Sequence, residues 1–521
     1  MHRALQIPEI VDRICTQLDT RTWHPFRITL EVTKARLGDL VVLARTSKAV
    51  FFPNALRIIW DSVTLLNLLR CLPSDAYKLE STGELFFIKY RMILLRPLKE
   101  LDLERVRFYA PCIQHLFSDS NYADPASVLP AASSWLSPTI FPILQGLYWE
   151  HKASDFGFIH HFLGPQLTTI RVPCATPAAA ELMSGLALRC PQLNDINCRI
   201  LDAGSAKMMS SAASAVSQCV RGLNGLKRLL TDILDHAALI HISRLHSLRD
   251  LRLGAFPSGF NVPSDQPFFP SLQTLHFTSD PDSMQDFLKL GRGIPLVEFT
   301  GETRDFSTPS QVESVLSAAA RGISYTTLKE FNFSEGYTVI DVSDAPDYLV
   351  PPSSLRPLFS FVNLTSVIIL SGVGVDLDDA IVTDMARSWR HIEKLNIESF
   401  YGTAAPRTTL RCLDSFAQYC PKLNKLGIVF NATVVPTSNS SFSLPSLETL
   451  DVEASPISNP RPVALYLARI FPGLKTIETL IDSLDGNIEW EATVLPEASE
   501  YDERWKKVDS MMKRSAKGGA R

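Results

Sequence analysis

His160 and His161 are the first residues in this chain whose type invites a chemical reading. Two imidazoles hold a metal together when they share a face, whereas sequence neighbours point apart. Asp341, Asp344 and Asp347 bring three carboxylates into one short stretch, but the glycine turn and closing glutamate of a calcium loop are missing. Gly372-Val-Gly374 supplies two glycines of a dinucleotide turn without the third. There is no Gly-x-x-x-x-Gly-Lys-Ser/Thr phosphate loop, no Gly-x-Ser-x-Gly elbow and no His-Glu-x-x-His pair. These residues read as structural or solvated. The expectation is a protein that is not an enzyme and has no catalytic, cofactor or metal site.

What recurs instead is a pattern, Leu-x-x-Leu-x-Leu. It begins at Leu98, Leu144, Leu167, Leu193, Leu226, Leu248, Leu272, Leu296, Leu328, Leu364, Ile392, Leu423, Leu447 and Leu474. After the first, wider gap the spacing is roughly 22 to 36 residues, the range of a leucine-rich repeat. Each unit should open a short strand whose alternate side chains point inward. Helical spacing fills the intervals at Ala178–Cys190, Ala206–Val220, Gln311–Ala320, Asp376–Trp389 and Val463–Phe471. Pro191, Pro270, Pro421, Pro445 and Pro472 stand two residues before a first leucine, where proline ends a helix and extends the chain. The predicted fold is an α/β solenoid, a leucine-rich-repeat horseshoe with parallel strands on the concave side. Gly301 and Thr231 occupy apolar positions, which makes the Leu296 and Leu226 units weak rungs. The interval from Leu98 to Leu144 is wide enough for a further unit or a long loop near Asn121–Pro138.

Composition narrows the function classes. The chain has 521 residues, 45% apolar and 20% charged, with a net charge of −4. No basic field points to nucleic acid or to an anionic membrane. The uncharged run Leu358–Val375 is short, contains polar residues, and reads as a repeat strand rather than a membrane span. Nine cysteines lack any Cys-x-x-Cys pair, as expected in a reducing compartment, cytoplasmic or nuclear. The charged start (Glu9, Asp12, Arg13) is not a secretory signal.

Four segments follow. Residues 1–62 form a small all-α segment, with helices expected at 5–18, 37–47 and 49–60, the last interrupted by Pro53. Residues 63–97 are expected to be a helical linker capping the solenoid, 98–485 the repeats, and 486–521 a cap helix and basic tail. Trp505, Val508, Met511 and Met512 would make the apolar face of that helix.

The run from Leu5 to Leu18, with its apolar-Pro8-Glu9-Ile10 start, resembles the opening of an F-box. Leu40 to Lys48 and Phe51 to Trp60 look like its second and third helices. The arrangement is similar to F-box-like proteins of mushroom-forming fungi, with Leu68 to Asp75 matching a leucine run and a Leu-Pro-Ser-Asp step. An insertion at 19–36 departs from the pattern. The resemblance implies a substrate-recognition adaptor of an SCF-type (cullin-RING) ubiquitin ligase. Its partners would be the Skp-type adaptor and a protein substrate. Pro8, Ile10, Ile14, Leu18, Leu40, Leu43 and Ala44 would form the adaptor-binding face, with Arg45 and Lys48 at its rim. The alternative is a leucine-rich-repeat scaffold whose N-terminal helices only cap the solenoid.

On the substrate side, the residue between the last two apolar positions should face outward from each strand. Those positions include Asp102, Tyr148, Arg171, Asn197, Arg252, His276, Asn332, Asn396 and Asp451, with Arg228 and Asp250 beside them. Arg171, Asn197, Arg228, Arg252 and His276 are the substrate-binding candidates. The cluster of Arg171, Arg228 and Arg252 suits an acidic or phosphorylated peptide.

Overall fold

The computed structural model describes residues 7–18, 38–47, 50–81, 90–119, 123–124, 128–133, 135–150, 156–174, 176–200, 206–257, 260, 268–336, 347–399, 406–437, 442–479 and 498–518. The insertion at 19–36, Asp341 and Asp344, and the acidic stretch Glu489–Glu497 lie outside them. The chain divides into two compact units, Met1–Thr231 and Asp232–Arg521.

In the first unit, Pro8–Leu18, Gly38–Thr46 and Phe52–Asp61 are helices. They share a core of Val11, Cys15, Leu40, Ala44, Ala55 and Ile58, edged by Leu43, Val50, Phe51, Phe52 and Ile59. Pro53 does not interrupt the third helix. It lies in the first turn, where no amide is required. Six strands then pair in sequence order, all parallel: Ser62–Thr64, His115–Asp119, Gly146–Glu150, Thr169–Pro173, Asp195–Arg199 and Arg228–Thr231. Leu147, Ile170, Ile196 and Leu229 stand in one register and are wholly buried. Between the strands run helices such as Pro177–Arg189, whose first turn is capped by Thr176.

Two expectations need correction here. The segment 63–97 is not a helical linker: after the short helix Leu65–Leu69, Tyr77–Ser81 pairs antiparallel with Tyr90–Leu94 in a separate sheet. The Leu98 unit is not a strand either. Leu98 and Leu103 are buried, but Glu100–Leu103 is a 3-10 turn entering the helix Glu104–Tyr109, and Leu101 is 75% exposed. Asp102 decides this. Its carboxylate accepts two bonds from the Arg96 guanidinium, at 2.6 and 3.0 Å, and one from the Lys99 N–H at 2.8 Å. A carboxylate that satisfies the first amides of a turn favours a helix start over a strand. The rung in the wide interval is His115–Asp119, with Leu116 wholly buried.

Among the described residues the second unit carries nine parallel strands, again in sequence order: Asp250–Leu253, Thr274–Thr278, Glu298–Glu302, Glu330–Ser334, Ser366–Ser371, Lys394–Ser399, Lys425–Ile428, Thr449–Asp451 and Thr476–Glu478. Leu251, Leu275, Phe299, Phe331, Val367, Leu395, Leu426, Leu450 and Ile477 form one unbroken register of buried side chains. The weak rung at Gly301 holds because Met284 fills the space; a Cβ there would come within 2.9 Å of its sulfur. Leu358–Val375 contains the expected strand, and no helix among the described residues is long and apolar enough to cross a membrane. The helix Ala498–Gly518 buries Trp505 and Val508 while Met511 stays exposed. Trp505 Nε1 donates to the Ser455 carbonyl at 2.8 Å, and Arg504 Nη1 to that of Ile457 at 2.6 Å. Each unit is thus an α/β solenoid-type stack of parallel strands and intervening helices.

Candidate interaction surfaces

His160, His161 and Gly372 each have partners within the fold. His161 Nδ1 lies 3.0 Å from the Leu136 carbonyl, and His160 Nδ1 lies 2.7 Å from the Arg189 guanidinium. Burial and that cation hold His160 below the usual histidine range. Gly372 N–H donates to the buried carboxylate of Glu335, which also takes Ser307 N–H and the Ser371 hydroxyl. Among the described residues no three His, Cys, Asp or Glu side chains are placed to hold a metal. All nine cysteines are free thiols.

The N-terminal helices divide the adaptor candidates. Leu40 and Ala44 are buried in the shared core and Leu43 packs at its edge, so these three are not a free face. Ile10 and Ile14 are exposed, at 38% and 36%, and Ile7 joins them at 46%. Ile10 and Ile14 stand four apart on one side of the first helix, and Ile7 immediately precedes it. On the second helix Val41 and Val42 are exposed instead. That helix carries two apolar sets, Leu40/Ala44 and Val41/Val42, and only packing against its neighbours chose between them. The side chains of Pro8, Leu18 and Lys48 lie outside the described residues. Arg45 is exposed and Asp12 is ion-paired with Arg57.

The strand faces turned away from the helices carry the substrate candidates, in two separate sets. In the first unit Arg171 stands in register between Tyr148 and Asn197. Its Nε contacts Glu150 Oε1 at 2.5 Å. Arg228 is opposite Asp195 and ion-paired with it. Tyr148 is buried and stacks on Phe117 with centroids 4.5 Å apart, while Trp149 is core. In the second unit Arg252 is opposite His276. Arg252 Nε reaches Asp250 at 3.5 Å, and His276 Nε2 reaches Glu302 at 3.2 Å. The His276 hydrogen bond holds Glu302 below the usual carboxylate range. Arg171, Arg228, Arg252 and His276 therefore each lie beside a carboxylate. The spacing of the leucines locates these residues on the strands but does not reveal Glu150, Asp195 or Glu302, because those come from the neighbouring repeats; Asp250 shares its strand with Arg252.

Glu298 and Glu330 face each other in register, and burial followed by that like charge raises Glu298. Towards the end of the unit, Asn396, Gly427 and Asp451 share one register and Glu398 leans over Gly427. The sequence reading missed Glu398 and Glu453 here; the signal was Gly427 at an outward position, where an absent side chain leaves room.

The chain matches no protein-family model and no curated protein. Among solved structures it is similar to the Rad7 and Elc1 complex in yeast, at 13% identity and a TM-score of 0.31, over 70% of this chain and 84% of that one.

Proposed function

We propose that this chain is the substrate-recognition subunit of an SCF-type (cullin-RING) ubiquitin ligase. In this reading the N-terminal helices are an F-box-like plug for the Skp-type adaptor, and the strand-helix stack is a leucine-rich-repeat solenoid that holds a protein substrate. The observation that carries it is the exposed set Ile7, Ile10, Ile14, Val41 and Val42 on a helical cluster that already has its own core. Apolar side chains left outside a satisfied core suit insertion into a partner's groove. The free thiols fit a cytoplasmic or nuclear location.

A scaffold without a ligase role is the second reading. It rests on Trp60, which stacks on Tyr109 with centroids 4.2 Å apart and ties the third helix to the following segment, as a cap would. One experiment separates the two. The full chain is mixed with purified Skp-type adaptor, and the variant Ile10→Glu/Ile14→Glu is compared with it, circular dichroism checking that both fold. The ligase reading expects the wild type to bind and the variant to lose binding at least tenfold. A folded wild type that does not bind leaves the scaffold.

A further inference from the structure

The outward strand face of the second unit changes character at its middle. The strands Glu298–Glu302, Glu330–Ser334 and Ser366–Ser371 contain no lysine or arginine. Side chains alternate along a strand, so Glu298, Thr300 and Glu302 turn away from the buried Phe299, and Glu330, Asn332 and Ser334 from the buried Phe331 and Phe333.

Two acids stand opposite each other on this face. Glu298 and Glu330 are in register on adjacent parallel strands, whose backbones run about 4.8 Å apart. Among the described residues neither carboxylate is bound to a cation or accepts a hydrogen bond. The basic groups that act on Glu298 are Arg252 and His276, and these are bound to Asp250 at 3.5 Å and Glu302 at 3.2 Å. Lys394 comes into the same register as Glu330 only beyond Ser366, and it is not bound to Glu330. Like charges on directly paired residues cost stability.

Two residues further along, Asn332 stands opposite Thr300 and donates its Nδ2 to Thr300 Oγ1 at 3.4 Å. Its Oδ1 is enclosed and has no donor. Ile368 follows Asn332 in register and Leu370 follows Ser334; both are half-buried and give the face an apolar flank.

Glu298, Glu330 and Asn332 Oδ1 thus offer acceptors to a group made only of donors. Lysine carries three donors and arginine five, and neither accepts. Such a cation removes the repulsion between the glutamates and makes charge-assisted hydrogen bonds, while its methylene stem lies along Ile368. We propose that these three strands dock a basic, extended segment of a protein partner, with a lysine or arginine side chain seated between Glu298 and Glu330. An open sheet face suits an extended segment, whereas a small free cation is held in an enclosed pocket. A basic segment is then the substrate class of the ligase reading, on which that role rests; the docking itself needs no adaptor.

Fluorescence anisotropy of a labelled peptide of alternating arginine and alanine, titrated with the full chain, tests this. A glutamate–alanine peptide of equal length and free spermine are the comparisons. The arginine peptide should bind about tenfold more tightly than either. Glu298→Gln/Glu330→Gln should weaken it by about tenfold, and circular dichroism checks that the variant folds. Glu330→Gln alone, at the more exposed of the two positions, serves if the double variant does not fold. Asp282→Asn/Glu313→Gln removes the same charge from the helices Pro281–Leu290 and Pro309–Gly322 and should change binding by less than about twofold. A wild type that does not prefer the arginine peptide would overturn the proposal. So would a folded strand variant that keeps its affinity, or a helix variant that loses as much. Spermine that displaces the peptide at equal concentration would overturn the assignment to a protein segment. No adaptor is present and Ile10 and Ile14 are unchanged, so a failure here leaves the adaptor contact to its own test.

Discussion

Arg228 and Asp195 stand opposite one another on adjacent parallel strands, and the arginine's Nε and Nη2 both bond to a single carboxylate oxygen, Asp195 Oδ2. The pair occupies the outward face of the first unit and links two neighbouring repeats. With its side chain 35% exposed, the pair works against solvent screening and side-chain entropy. Arg228→Ala should change unfolding free energy by only about 0–1 kcal/mol. Urea denaturation measures this, and a loss well beyond that range would mean that the arginine has a structural role not visible in its pairing.

Leu40 and Ile10 separate core from surface in the N-terminal helices. Leu40 has no exposure and Ile10 has 38%. Leu40→Ala should destabilise the helical cluster by about 2–5 kcal/mol through lost burial and a cavity. Ile10→Ala should cost far less. Thermal melts of the two full-length variants give the comparison; equal losses would place Ile10 inside a core.

Asp102 sets the acid limit of its region. Arg96, and then the Lys99 amide, hold it down to about 2. The folded state therefore binds this proton less readily than the unfolded chain, and the stabilisation is complete above the ordinary carboxylate value near 3.8. It should disappear as pH falls towards about 2. Asp102→Asn should melt lower than the wild type at pH 6, and the gap should narrow with acidification. A gap that stays constant down to pH 2.5 counts against the pair as the cause.

Glu335 ties two loops together from inside the second unit, through Ser307 N–H at 2.8 Å, Ser371 Oγ at 2.9 Å and Gly372 N–H at 2.6 Å. Glu335→Ala strands all three donors, at about 1–3 kcal/mol for each one left buried. Glu335→Gln retains a carbonyl acceptor and should be milder. Chemical denaturation of both variants tests the order, and the reverse order would show that burying the charge outweighs the bonds it makes.

The leucine period determined much of this molecule by itself. From Leu144 to Leu474 each unit falls on a strand, because a side chain spacing of two on a strand and the helical spacing between strands leave few other ways to bury those residues. Periodicity could not see Asp102, whose capping bonds turn the Leu98 unit into a helix start. It could not choose between Leu40/Ala44 and Val41/Val42, since both sets recur on one short helix and only the neighbouring helices decide which is covered. Nor could it assign charge partners. The acids facing Arg171 and Arg228, and the approach of Glu398 to Gly427, join residues from different repeats. Local pattern fixes which way a side chain points along its own strand; what it meets there depends on the register of the next strand, which exists only once the chain has folded.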